Sequence, residues 1–442
     1  MHRPIRFVIV GLVAVVCAAT AVACSGSDDS DSTSSANSTP FIETDPTQTV
    51  TRESDGVLRF GVLLPSQIME TSQIESVQAV LTAIVDQVNG RSGFRGAPIE
   101  LVIATETGNS ATDQATVQTL IANSNIDALI GPSSSDIAER VNRDVTAAGV
   151  GVCSPVATSL NLSKLPDDGL MIRTVPTDAT IAKAMVQLVT ESGFVTASVI
   201  YPDDPYGRGL LAVLHDELAA RDLNVPQNDV PVEDVDIAYR VAADGTWSTE
   251  IDIEGITNRV VLVIGDENVA NDILSKVELK VVIANDGFVG VDASTIAADN
   301  GRTFLTSLSS FEGVTVDAFS GGTDIIANLR DQGVDVSVSS PIPFLTKFVD
   351  CLNVMVLSAL ATSSDDPRVF MAASEATTTS GSKCTRIDEC VNAQEQGLNF
   401  DYDGATGELD LDANGDVVNG SVLLYAFGPD GTSQPVERVR VQ

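Results

Sequence analysis

Three consecutive serines, Ser133 to Ser135, are the first residues whose types and spacing suit chemistry. They follow an apolar run and the pair Gly131-Pro132 in the stretch DALIGPSSSD, and a helical pattern of apolar residues begins directly after them. A nucleophilic serine needs a base that a third group orients. After the first residues the chain has one histidine, His215, inside an amphipathic helical pattern. Because GPSSS also differs from the G-x-S-x-G elbow, we interpret the serines as one wall of a ligand site and keep a serine hydrolase as the enzyme alternative.

Further candidate ligand-binding residues follow other predicted strands at equivalent positions. They are Val156, Ala157 and Thr158 of the stretch SPVAT, Tyr206 after IYPDDP, Asp266 at the end of VLVIGD and Asp286 at the end of VVIAND. Ligands of open α/β sheets bind at the carboxyl ends of the strands. Hydroxyls and the free amides at a helix start suit a carboxylate, and backbone carbonyls suit an ammonium. Any one of these side chains is equally explained as a helix N-cap, but their joint occurrence at one sheet edge favours a binding site.

Metal and cofactor motifs receive little support. DLDANGD places Asp410, Asp412 and Asn414 like the start of an EF-hand loop, but the glutamate required at position 12 is replaced by Ser421. We therefore expect a β-turn there. The sequence contains neither a P-loop nor a complete dinucleotide fingerprint, and we expect no cofactor, no metal and no catalysis.

The elements predicted from residue 56 onward alternate between strand and helix. Apolar runs such as VLRFGVLLP and IDALIG alternate with helical patterns such as IESVQAVLTAIVDQVN, and the same order restarts after MIRTVPTDAT. Alternation of this kind predicts parallel sheets covered by helices on both faces. The fold class is therefore α/β, with two doubly wound lobes.

The series of motifs resembles the type I periplasmic binding proteins, in particular the branched-chain amino acid receptors of ABC transporters. The stretches that carry the resemblance are RFGVLLP, GAPIELVIATE, DALIGPSSSDIA, AGVGVCSPVAT, IRTVPTD, VIYPDDPYGRGL, VVIANDGF and DANGDVVNG. The resemblance implies two lobes joined by three crossovers, near Pro176, Ser309 and Gly404, with the ligand between them. The domains expected are a signal peptide at 1–23, a tether at 24–55, a first lobe at 56–175 plus 310–404, and a second lobe at 176–309 plus 405–442.

The resemblance also implies roles for individual residues. Ser135 and Thr158 would hold the ligand carboxylate. The carbonyl of Val156 and the side chain of Asp286 would hold its ammonium, and Tyr206 would line the second lobe. Asp266 departs from the family, which often has an aromatic residue there, and an extra acid favours a more polar or cationic ligand.

The amino terminus has the features of an export signal. Arg3 and Arg6 precede the apolar stretch Phe7 to Thr20, and the small residues before Cys24 resemble a bacterial lipobox. The polar stretch SGSDDSDSTSSANSTP that follows is typical of a flexible tether. No later stretch reaches the roughly 18 apolar residues of a spanning helix. We expect a protein on the extracytoplasmic face of the membrane, anchored by lipid at Cys24, with ordinary cleavage near Ala23 or a retained anchor as the alternative.

The net charge limits the possible binding partners, and the cysteines limit the possible disulfides. The formal net charge of −36 excludes binding to nucleic acid. The four cysteines after Cys24 allow three pairings in an oxidising compartment. We favour Cys384 with Cys390 in CTRIDEC, and expect Cys153 to be a buried thiol.

These expectations combine into one function. The chain is expected to be a solute-binding lipoprotein of an ABC importer that captures a small zwitterionic ligand, an amino acid or related amide, by hinge closure and passes it to a membrane permease. A ligand-sensing regulatory lipoprotein on the same fold is the alternative, and the sequence does not separate the two.

Overall fold

The structure is a computed structural model. It describes residues 54–191, 197–203, 205–221, 237–241, 247–249, 260–265, 281–285, 297–298, 302–303, 310–316, 322–331, 333, 342–418, 420–427 and 433–440. The predicted signal peptide, the predicted tether up to residue 53 with Cys24, and the residues Asp266 and Asp286 lie outside the described residues.

The first sheet is built from five parallel strands. They are β1 (Arg59–Pro65), β2 (Glu100–Glu106), β3 (Ala128–Ile130), β4 (Gly151–Ser154) and β5 (Met171–Arg173), in the spatial order β2-β1-β3-β4-β5. Their pairing is parallel throughout, with Val62 of β1 opposite Ile103 and Ile130. The central strands are continuous apolar runs because both faces of the sheet are covered.

Helices cover both faces of this sheet, as a doubly wound fold requires. They are α1 (Thr71–Asn89), α2 (Ser110–Ser124), α3 (Ser135–Ala148), α6 (Gly322–Asp331) and α7 (Leu345–Thr362), with the shorter α8 (Pro367–Phe370), α9 (Ser374–Thr379) and α10 (Ile387–Glu395). The core on one face joins α1 and α7, and the core on the other face joins α2 and α3. The strands β14 (Ser382–Cys384) and β15 (Phe400–Tyr402) form a small parallel pair beside α10.

The second sheet has eight strands, and its central strands are parallel. They are β6 (Ser198–Pro202), β7 (Ile237–Val241), β8 (Trp247–Thr249), β9 (Val260–Val263), β10 (Val281–Ala284), β13 (Ser310–Val316), β16 (Ser421–Phe427) and β17 (Ser433–Arg440), in the order β17-β16-β13-β10-β9-β6-β7-β8. The helices α4 (Asp178–Glu191) and α5 (Pro205–Ala220) pack against it. A separate two-stranded pair consists of β11 (Ala297–Ala298) and β12 (Arg302–Thr303). The strands β8, β16 and β17 pair antiparallel, so this lobe is mixed at its edges.

Two predicted lobe boundaries shift in the structure. β13 pairs with β10 of the second sheet, so the chain leaves this lobe after Val316 and not near Ser309. Residues beyond Gly404 still belong to the first lobe: the buried carboxylate of Asp350 on α7 accepts a hydrogen bond from the Ala405 amide at 2.6 Å, and Val417 is in the first core. The third crossover therefore follows Val417.

The predicted β-turn in DLDANGD forms, and the Gly415 amide donates to the Asp412 carbonyl at 2.9 Å. Leu411 and Val417 make a single antiparallel bridge around Asn414 and Gly415, but the next run, β16, pairs with β13 and β17. The Asp412 carboxylate accepts hydrogen bonds from the amides of Asn414 at 2.8 Å and Asp416 at 2.9 Å. This is a side-chain-capped turn of the kind that aspartate favours.

One described helix, Leu345–Thr362, is long and apolar enough to cross a membrane by length and composition. The expectation that no later stretch has these properties was therefore wrong. Within the protein, 83% of the helix window is buried, as expected for a helix packed on all sides in a core.

Two disulfides are present among the described residues. Cys384 and Cys390 are joined, at a Cα–Cα distance of 5.5 Å, which is the pairing that the short loop favours. Cys153 of β4 is joined to Cys351 of α7, 198 residues further along the chain. The expectation of a free thiol at Cys153 was wrong because sequence spacing does not reveal that β4 and α7 are neighbours in the core.

Candidate ligand-binding site

The carboxyl ends of β3 and β4 bring the two predicted binding stretches of the first lobe together. The Ser154 hydroxyl donates to the Pro132 carbonyl at 2.7 Å and accepts from the Ala157 amide at 3.0 Å. The Ser159 amide donates to the Ser135 hydroxyl at 3.3 Å. These bonds hold the serine run and the loop 155–159 side by side at one edge of the sheet.

The three serines have different roles. Ser133 is buried, and its hydroxyl donates to the Glu106 carboxylate at 2.7 Å while accepting from Gln67 at 2.9 Å. The Ser133 hydroxyl therefore already donates its hydrogen bond to Glu106 and cannot donate to a ligand. This differs from the expectation that all three hydroxyls line the site. Ser134 is the N-cap residue of α3 but makes no capping bond. Ser135 accepts a hydrogen bond and so keeps its own proton for donation.

In SPVAT, too, some polar groups are hydrogen-bonded within the protein and others are not. The Ala157 amide is bound to Ser154, and the Thr158 carbonyl accepts from the Asp178 amide at 2.9 Å. The Thr158 hydroxyl and the Val156 carbonyl have no hydrogen-bond partner among the residues that the structure describes. The first amides of α3 lack an intrahelical partner. Together with the Thr158 hydroxyl they can donate hydrogen bonds to a ligand, and the Val156 carbonyl can accept one.

Glu106 ends β2 under this edge, and sequence reasoning missed it. Its carboxylate accepts from the Ser133 amide at 2.8 Å and from Gln67 at 3.0 Å. Burial raises the pKa of the Glu106 carboxyl, while the hydrogen bonds from Ser133 and Gln67 oppose the increase. Glu106 could have been identified from the sequence, because it is a carboxylate at the end of an apolar strand and belongs to the same sheet edge as the serines.

The raised pKa of Glu106 predicts a pH-dependent contribution to stability. A carboxyl whose folded pKa lies above its unfolded value contributes stability that is complete below the unfolded pKa and is lost as pH rises through the folded pKa. We expect Glu106→Gln to remove this decline, seen as a smaller pH slope in the free energy of unfolding from urea titrations above pH 4.5. Glu100→Gln, an exposed change on the same strand, should keep the wild-type slope; an equal slope in both variants would contradict the assignment.

The second lobe contributes a matching edge, which Asn285 organises. Its side chain donates to the Tyr206 hydroxyl at 3.0 Å and accepts from the Gly265 amide at 3.0 Å. Its carbonyl accepts from the Tyr425 hydroxyl at 2.7 Å. Asn285 is buried, and it joins Tyr206 to the ends of β9 and β10, directly before the predicted positions Asp266 and Asp286. Sequence reasoning selected its neighbour Asp286 and passed over Asn285.

The two edges meet near the start of α5. A Cβ atom added at Gly209 would lie 3.8 Å from the Ser159 hydroxyl, and Phe344 packs against the cores of both lobes. The serine run and SPVAT therefore lie on the side of the first lobe that α5 approaches. Among the described residues, no group of three or more His, Cys, Asp or Glu side chains is placed to hold a metal ion.

A buried ion pair supports the loop below the site. Arg173 at the end of β5 is 1% exposed and donates to Asp416 at 2.8 Å and to the Ser159 carbonyl at 2.7 Å. Sequence reasoning quoted IRTVPTD as a motif but gave Arg173 no role. A charged residue in a short apolar strand was the signal, since buried arginines are paired.

Comparison with known proteins places this architecture in a family. Residues 76–430 match the family described as the receptor family ligand binding region. The chain belongs to this family, and its fold is that of the type I periplasmic binding proteins.

Two solved structures and one curated protein illustrate the similarity. An ABC transporter substrate-binding protein from Desulfitobacterium hafniense, in complex with Leu, has a TM-score of 0.60 and 17% identity, over 86% of this chain and 100% of that chain. The branched-chain amino acid transporter substrate-binding protein LivJ from Streptococcus pneumoniae, in complex with isoleucine, has a TM-score of 0.58 and 17% identity, over 87% and 100%. The chemotactic signal transduction system substrate-binding protein BasB of Halobacterium salinarum is 23% identical over 359 residues, which cover 78% of this chain and 81% of BasB.

Proposed function

We propose that this protein is an extracytoplasmic solute-binding lipoprotein that captures a small zwitterionic ligand, an amino acid or related amide, between its two lobes. The observation that carries the proposal is the pair of polar strand-end edges, one from each parallel sheet, that adjoin near Ser159 and Gly209. The first edge offers the hydroxyls of Ser135 and Thr158, the helix-start amides of α3 and the Val156 carbonyl, which suit the two ends of a zwitterion. Family membership and the amino acids bound by two fold neighbours support this ligand class.

In the proposed site, the carboxylate accepts hydrogen bonds from Ser134, Ser135 and Thr158. The ammonium donates to the Val156 carbonyl and to Asp286. Hydrogen bonds between charged and neutral groups are stronger than neutral pairs, so these contacts fix the orientation of the ligand. Tyr206 lines the second lobe, and Asp266 favours a polar or cationic side chain.

Binding in this proposal closes the lobes about their connections. A ligand that contacts both edges stabilises the closed state by the contacts that only this state makes. No bond is broken, so the protein acts as a receptor and not as an enzyme. The lipid on Cys24 would keep the receptor at the extracytoplasmic membrane surface, beside an ABC permease that accepts the ligand.

A second candidate is ligand sensing on the same fold. It is favoured by the relative BasB, whose name assigns it to a chemotactic signal transduction system. The two candidates share the site and differ in the membrane partner. Uptake of labelled ligand by cells with and without the protein distinguishes the two candidates. Deleting the protein should abolish uptake only if the protein serves an importer.

Thermal unfolding in the presence of candidate ligands tests the proposed function. Ligand at about 100 times its dissociation constant adds roughly 2.7 kcal/mol to the free energy of unfolding. We expect this shift with one group of amino acids, in a panel that also holds amides, urea and small carboxylates including benzoate, which a fold neighbour from R. palustris binds. Asp286→Ala should abolish the shift for amino acids. A panel in which no zwitterion shifts the unfolding temperature would exclude the proposed ligand class.

A further inference from the structure

Arg173 lies beneath the loop that follows β4, with its guanidinium group almost fully buried. Besides Asp416, it donates to the carbonyls of Ala157 at 3.4 Å and Ser159 at 2.7 Å, and to the Ser163 hydroxyl at 2.6 Å. The two carbonyls flank Thr158 on either side. A single side chain therefore fixes the backbone on both sides of a residue in the proposed site.

The loop depends on this contact because it has little regular structure of its own. Residues 155–161 form neither helix nor strand, and a single 3-10 turn, Leu162–Lys164, follows them. Arginine presents five donors in a rigid planar fork. Lysine has the same charge but a single nitrogen, so it cannot reach the two carbonyls, the hydroxyl and the carboxylate together.

The same residue also joins two of the connections between the lobes. The Arg173 amide donates to the Gly415 carbonyl at 2.8 Å, and Asp416 leads into the third connection, which enters β16. The first connection begins directly after Arg173, and a Cβ atom added at Gly420 would lie 2.8 Å from Pro176. The two connections thus run side by side, anchored at Arg173.

We propose that Arg173 is a positioning residue that sets ligand affinity by holding the loop 155–163 and by tying it to the first and third connections through Asp416. The inference rests on the proposed function for its effect on binding, but not for its effect on the loop. Ligand contact at Thr158 is thereby linked to the segments about which the lobes close.

Hydrogen exchange of the ligand-free protein tests the structural part alone. In Arg173→Lys, the amides of residues 156–163 should exchange at least about tenfold faster, the factor that corresponds to roughly 1.4 kcal/mol. Asp416→Asn should act in the same direction but less, because its oxygen still accepts while the charge is lost. The matched control is Arg59→Lys, since Arg59 is also an arginine that pairs with carboxylates, Asp55 and Glu100, but it lies at the opposite end of the first sheet.

Calorimetric titration with L-leucine tests the effect on affinity. Arg173→Lys should bind at least about tenfold more weakly than the wild type, whereas Arg59→Lys should bind as the wild type does. Unchanged exchange in residues 156–163, equal acceleration in Arg59→Lys, or faster exchange with unchanged L-leucine affinity would each overturn the proposal. If the wild type binds no L-leucine, the failure concerns the proposed ligand, and the exchange experiment still decides the role of Arg173.

Discussion

Thr158→Val should weaken the binding of an amino acid by about ten- to hundredfold while leaving the fold intact. Valine keeps the shape of threonine but removes its hydroxyl, which has no partner among the described residues and which we assign to the ligand carboxylate. A hydrogen bond to a charged group contributes roughly 1.5–3 kcal/mol, and every 1.4 kcal/mol is about tenfold in affinity. Isothermal titration with the amino acid that stabilises the wild type most gives the measurement.

The control for this experiment is Ser133→Ala. Its hydroxyl is spent on Glu106 and Gln67, so its removal leaves a buried carboxylate with one donor fewer. We expect a loss of roughly 1–3 kcal/mol in the free energy of unfolding with affinity retained within about threefold. If Ser133→Ala loses more affinity than Thr158→Val, the division of the serine run into structural and ligand-facing hydroxyls is wrong.

The fold was predictable because its signals are local and repeated. Apolar runs and helical spacing recur along the chain, and strand–helix alternation leaves few arrangements other than covered parallel sheets. The exceptions are informative: β13 was assigned to the wrong lobe because a strand carries no mark of the sheet that it joins. The same limit applies to Val417, whose lobe is decided by packing against a distant core.

The sequence predicted at which sheet edge the site lies, but not which of its hydroxyls are free to bind a ligand. Parallel strands end at one edge, so Ser135 and the loop of Thr158 were expected to meet, and the bond from Ser159 to Ser135 joins them. Which hydroxyl is free depends on neighbours from other strands. Glu106 at the end of β2 accepts a hydrogen bond from the Ser133 hydroxyl, a contact between residues 27 positions apart that no local pattern encodes.

Arg173 and Asn285 show a second limit. Both are buried polar residues that hold backbone groups and are not themselves expected to touch the ligand. Sequence patterns favour residues that resemble ligand-binding groups, while the residues that orient them are recognised from their hydrogen bonds. A buried polar group without partners is costly, so a charged residue inside an apolar strand predicts that such partners exist without identifying them.

Loss of the Cys153–Cys351 disulfide should destabilise the protein far more than loss of Cys384–Cys390. In the chain-entropy estimate, a crosslink stabilises by restricting the unfolded chain, and the effect grows with the length of the closed loop. The separation of 198 residues corresponds to about 5 kcal/mol and that of 6 residues to about 2 kcal/mol. Free energies of unfolding from urea titrations of the two double alanine variants should differ in this order.

Replacing Cys153 and Cys351 also removes two fully buried sulfurs and leaves a cavity, which would add to the loss. Reductant added to the Cys384→Ala/Cys390→Ala variant separates the two effects, because it opens the Cys153–Cys351 bond without removing any atom from the core. We expect most of the loss to appear on reduction. Only Ser154 separates Cys153 from Pro155, the first residue of the loop that carries Thr158. If the proposed ligand class is correct, the reduced protein should therefore also bind the amino acid that stabilises the wild type most, but more weakly. Equal stability before and after reduction would show that packing between β4 and α7, and not the crosslink, holds this side of the site in place.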